Sequence, residues 1–92
     1  MKATQLINDN GNAAANQFVL HDGNSTVFQS YKTIIARSDN GSVTLDSNAL
    51  DYSRTTSKHL YIFLRQCGWG VHNKAEVQDK IKTGTFKTED LN

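Results

Sequence analysis

Asp51–Gly70, DYSRTTSKHLYIFLRQCGWG, carries the strongest helical period in the chain and has a start and a stop of its own. Ser53, Thr55 and Thr56 offer side-chain oxygens to the free amides of a first turn, so the helix starts within a residue or two of them. Leu60, Phe63, Leu64 and Cys67 recur at spacings of three and four and fall on one face. Arg54, Lys58, Arg65 and Gln66 lie mostly on the other, and Gly68 suits the left-handed conformation that ends a helix. About four turns result, roughly 20 Å at 1.5 Å per residue. One helix leaves its apolar stripe open, so the residues before it must supply the surface on which it packs.

Those residues read as short strands. Gln17–His21 and Thr26–Tyr31 flank the turn Asp22-Gly23-Asn24 and form the clearest hairpin. Phe18 and Leu20 share one face, and Phe28 alternates with Thr26 and Ser30, so the pair can bury one side and wet the other. Thr33–Arg37 and Ser42–Asp46, separated by Ser38-Asp39-Asn40-Gly41, continue the meander, with Val43 and Leu45 on one face. Ahead of these, Ala3–Ile7 is short and moderately apolar, Asn8–Asn12 is a turn cluster, and Ala13–Ala15 suits one helical turn. Leu50 or Tyr52 is placed to seal the start of the main helix. Beyond Gly70, Asn73 with Glu76 resembles a capping box for a second, shorter helix with Val77 and Ile81 one turn apart, and Gly84 stops it. Thr85–Leu91 alternates as a last strand or extended tail at a sheet edge. The expectation is a single α+β domain over residues 1–92: an antiparallel sheet of four or five strands packed by one long and one short helix.

Composition narrows the function. Ten Lys plus Arg against nine Asp plus Glu leave a net charge of +1, too little for general nucleic-acid attraction, so any charge effect must be local. A single cysteine excludes an internal disulfide and fits a reducing cytosol. No run approaches the roughly 20 apolar residues of a membrane span, and none has signal length near the N-terminus. An intracellular protein without a membrane partner is expected.

Catalytic chemistry finds little footing. Eight residues of helix separate Cys67 from His59 by about 12 Å, against the roughly 3 Å a base needs. His72 lies past the helix stop, but no orienting carboxylate or amide stands beside it, and a free cysteine on an apolar face usually packs as a small core residue. His21, His59, His72 and Cys67 have no paired metal-ligand spacing. Asp9-Asn10-Gly11 and Asp39-Asn40-Gly41 lack the later ligands of a calcium loop, and the scattered glycines form no phosphate-cradling motif. No enzyme, metal, cofactor or small-molecule substrate is expected.

A binding surface is better supplied. Lys32, Arg37, Arg54, Lys58, Arg65, Lys74, Lys80 and Lys82 fall largely between the third strand and the second helix, whereas the acids gather in turns and the tail. Charged residues on a helix ordinarily make a solvated face, but Arg54, Lys58 and Arg65 share the broad polar side of the main helix. With Lys32 and Arg37 they could meet a phosphate backbone or an acidic protein surface. Tyr61 and Trp69 could anchor such a contact, and peripheral or core packing is the alternative for each.

QLIN-x-N-GN near the start, the FQSYKTIIA strand pair, VTLD-x-x-x-LDYSRTTSKHLYIFL and the closing IKTGTFK together resemble a group of short bacteriophage proteins over nearly the whole chain. Within that group the sequence is similar to the type I-F anti-CRISPR proteins. The resemblance implies a non-enzymatic inhibitor, acting in the host bacterial cytoplasm, that docks on the crRNA-guided Cas surveillance (Csy/Cascade) complex. It would contact the Cas backbone subunits, with the crRNA as a further contact, and keep target DNA from hybridising by occupying space. A small nucleic-acid-binding regulator of phage or host genes is the alternative from another class, and an enzyme using Cys67 a third.

Overall fold

Asn-Gly and Gly-Asn turns, with Tyr31-Lys32 between the third and fourth strands, cut the first half of the chain into strands that pair with their neighbours, and the computed structural model, which describes residues 2–92, has β1 Lys2–Ile7, β2 Ala13–Asp22, β3 Ser25–Ser30, β4 Thr33–Asp39 and β5 Ser42–Asp46. Two helices follow, α1 Arg54–Gln66 and α2 Lys74–Lys82, and then β6 Phe86–Glu89. The fold is α+β. Its single sheet has six strands in the order β1-β2-β3-β4-β5-β6. The first five form an antiparallel meander, while β6 pairs parallel to β5, with Val43 opposite Phe86.

Two expectations need correcting. The sheet has six strands where four or five were expected, and it is mixed, because the chain crosses both helices between β5 and β6 and re-enters the sheet in the direction it left. Ala13–Ala15 is the first part of β2, not a helical turn. Pairing explains this, since Ala13 faces Ile7 across the β1–β2 ladder and tertiary hydrogen bonding overrides the alanine preference.

One face of the sheet carries the core. Val19, Phe28, Ala36 and Leu45 lie opposite one another across four strands and are buried. Phe63 of α1 stacks on Phe28 with ring centroids 5.6 Å apart. Leu60, Ile62 and Leu64 complete the helix contribution, α2 adds Val77, and all belong to the same cluster. Phe18 and Leu20 do share a face, but it is the one turned away from the helices. Their neighbours Gln17 and Val19 point inward, where Gln17 lies opposite Ser30 and Ser30 bonds Thr56 at 3.1 Å.

The caps behave as their chemistry demands. Ser53 Oγ accepts the Thr56 amide at 3.3 Å, and Gly68 at φ 96° turns the chain after α1. Asn73 Oδ1 accepts the Glu76 amide at 2.9 Å, but the Glu76 carboxylate reaches back to the His72 amide at 2.7 Å, one residue upstream of the usual capping-box partner.

Candidate functional site

Arg54, Ser57, Lys58 and Tyr61 stand at helical positions i, i+3, i+4 and i+7, a polar stripe beside the apolar one that α1 buries. Leu50 and Tyr52 come from the connection between β5 and α1. Gly68 reverses the chain and Val71 is buried, so His72 and Lys74 return alongside α1 at the start of α2. Together these residues line one groove of about 550 Å³. Leu50, Tyr52 and Tyr61 give it apolar walls. Arg54, Lys58 and Lys74 are exposed and, among the described residues, join no ion pair. Among the described residues no carboxylate lines the groove, and the first turn of α1 holds no acid.

Tyr52 is fixed by its hydroxyl, which donates to Asp46 Oδ2 at 3.1 Å. Asp46 is buried at 2% exposure and also accepts the amides of Leu91 at 3.0 Å and Asn48 at 3.2 Å and the Asn92 side chain at 3.2 Å. Burial alone would raise its pKa, but those four donors outweigh burial and hold the carboxyl below its ordinary value. Burial and the neighbouring carboxylate together push the Tyr52 hydroxyl up. The phenol therefore stays protonated as a donor.

Of the seven residues singled out in the sequence, the groove gathers Arg54, Lys58 and Tyr61. Arg65 lies on the same helical stripe near its far end, where its guanidinium donates to the Val71 carbonyl at 3.1 Å and pairs with Asp9 at 2.9 Å. Trp69 packs edge-on against Phe86 with centroids 5.2 Å apart, and the Lys80 ammonium lies 5.7 Å from its ring, so it covers the core beside β6. Arg37 sits on the open face of the sheet, paired with Asp39 at 2.7 Å and Glu89 at 3.7 Å. Lys32 is exposed in the turn between β3 and β4. Tyr52, His72 and Lys74 complete the groove: Tyr52 arrives on the connection from β5, the reversal after Gly68 brings His72 and Lys74 to α1, and the sequence places Lys74 only in the broad basic set.

A second groove, of about 480 Å³, opens near the C-terminal end of α1, lined by Cys67 together with His21 and Ser38 from the sheet. Burial pushes the Cys67 thiol up, and the Ser38 contact only partly opposes this. A thiol held in its protonated form is a poor nucleophile. His59, eight residues before Cys67, has its Nδ1 within 2.7 Å of the Thr55 carbonyl, and His72 faces Glu76. Among the described residues no three His, Cys, Asp or Glu side chains converge as a metal site would require, and no helix is long and apolar enough to cross a membrane.

A family model described as a family of unknown function, DUF8033, matches residues 1–83. The chain belongs to that family. No curated protein and no solved structure matches it. The matched span includes every residue of the Tyr52–Tyr61 groove, and β6 follows it.

Proposed function

We propose that this DUF8033 protein is a docking protein without catalytic chemistry of its own, and that the groove over α1 is where it meets a phosphate-bearing partner. One observation carries the reading: three cations and two tyrosines line a single groove in which, among the described residues, those cations join no ion pair and no carboxylate takes part. In a chain of net charge +1, that concentrates attraction in one place, as a specific contact requires. The sequence resemblance points to the partner. It is the type I-F crRNA-guided Cas surveillance complex in the cytoplasm of a bacterial host, where a bound inhibitor would exclude target DNA by occupying its path. A contact of about 800 Å² per partner is enough for stable docking, and the chain has 5391 Å² of surface from which to supply it.

The test is binding of the purified protein to the surveillance complex, to free crRNA and to duplex DNA, followed by target binding by the complex. Docking on the complex with loss of target binding is expected. The variant Arg54→Glu/Lys58→Glu/Lys74→Glu should weaken docking at least tenfold with an unchanged fold, since reversing three contacts forfeits more than 1.4 kcal/mol. Absence of any association with the complex removes the inhibitor reading, and binding to free nucleic acid alone assigns the protein to gene regulation.

A further inference from the structure

Tyr52 borders more than one groove. On the other side of the start of α1 lies a second, of about 280 Å³, where Tyr52 is joined by Tyr31, Ser53 and Thr56. The chain has three tyrosines, and all three line these two adjoining grooves. Tyr31 is 58% exposed and its backbone sits at φ 56°, held there by its amide donating to the Asn16 carbonyl at 2.7 Å. A bulky side chain is disfavoured in that conformation, where Asn or Gly would serve the turn without strain. Turn chemistry therefore does not account for an aromatic ring at this position. Lys32 follows in the same turn.

We infer that the two grooves form one track for single-stranded nucleic acid. Tyr31, Tyr52 and Tyr61 offer faces on which bases stack, and Lys32, Arg54, Lys58 and Lys74 meet the phosphates between them. Stacking rings set in a basic groove are the means by which proteins hold single strands without reading their sequence. A duplex keeps its base faces inside its own stack and offers the tyrosines nothing. The inference rests on the docking reading for the location of the groove, but it needs no Cas protein.

Fluorescence anisotropy with labelled oligouridine and oligothymidine of about eight nucleotides tests it, against the matching duplex and a polyglutamate peptide of equal length. Both single strands should bind. If all four cations engage phosphates, the logarithmic salt slope is about −2.8, a loss of about 50-fold between about 50 and 200 mM salt. Tyr31→Asn suits the left-handed backbone and so keeps the turn; it should weaken binding roughly 5- to 140-fold, while Tyr31→Phe retains it. Wild-type affinity in Tyr31→Asn, or equal binding of polyglutamate or duplex, overturns the track. Oligonucleotide binding without association with the surveillance complex removes the inhibitor reading and leaves the track standing. Docking on the complex without oligonucleotide binding does the reverse.

Discussion

Replacing Asp46 with Asn should loosen the end of the chain and the wall of the groove together. The carboxylate accepts from the Leu91 amide, the Asn48 amide, the Tyr52 hydroxyl and the Asn92 side chain while itself 2% exposed. Hydrogen bonds to a charged acceptor contribute about 1.5–3 kcal/mol each. All four bonds are only part-buried, so the released donors rehydrate and the net loss reduces to about one such bond, roughly 2 kcal/mol. In a domain of this size that lowers the melting temperature by about 8–16 °C. The pH dependence carries a definite sign. Asp46 has a depressed pKa in the folded state, so its contribution is present in full above the unfolded value near 3.9 and is lost as pH falls through the lower native value. Thermal unfolding followed by circular dichroism from pH 7 down towards pH 2 should show the gap between wild type and Asp46→Asn narrowing only below about pH 4. Faster hydrogen exchange at Leu91 in the variant should accompany it. Equal melting temperatures at pH 7, or a gap unchanged across the acid limb, would refute the reasoning.

Phe63→Ala removes the ring that stacks on Phe28 and should cost about 3–5 kcal/mol in chemical denaturation, the range for emptying a well-packed aromatic site; a loss below about 1 kcal/mol would mean that α1 buries another face. Arg65→Ala gives up the bonds to Val71 and Asp9, and should lower stability by about 1 kcal/mol while docking is retained. Weakened docking in that variant at full stability would extend the site along the whole helix. Cys67→Ala should leave docking unchanged, because the thiol lines the groove at the opposite end of α1; lost inhibition in a folded Cys67→Ala protein would revive a nucleophilic role.

Local signals are legible wherever one residue type meets one backbone demand. Ser53 and Asn73 as caps, Gly68 and Gly84 as stops and the turn at Asn40-Gly41 all follow from side-chain oxygens or from tolerance of positive φ. The β2 run Gln17-Phe18-Val19-Leu20 was harder, because apolar residues on both faces do not say which of them faces a helix. The partner strand settles it by placing Phe28 opposite Val19. The strand count fell short for a different reason. Only pairing with Leu20, Val19 and Phe18 makes a strand of the polar segment Ala3–Gln5, whereas the edge strand at Phe86–Glu89 was legible and only its parallel direction was not. The groove was half legible. Arg54, Lys58 and Tyr61 share a helical period, whereas Tyr52 and Lys74 join them through connections whose course no local pattern encodes.

The parallel seam between β5 and β6 also orders the steps of folding. Each hairpin of the meander closes over a few residues at small entropic cost, but Val43 finds Phe86 only after the intervening chain has been drawn in. The meander with α1 can therefore condense first, and β6 docks last, bringing with it the Leu91 and Asn92 contacts to Asp46 that hold Tyr52. On this route substitutions at Val19 or Phe28 slow folding, and those at Phe86 chiefly hasten unfolding. On that route the chain completes its sheet and sets the aromatic wall of its groove in the same final event.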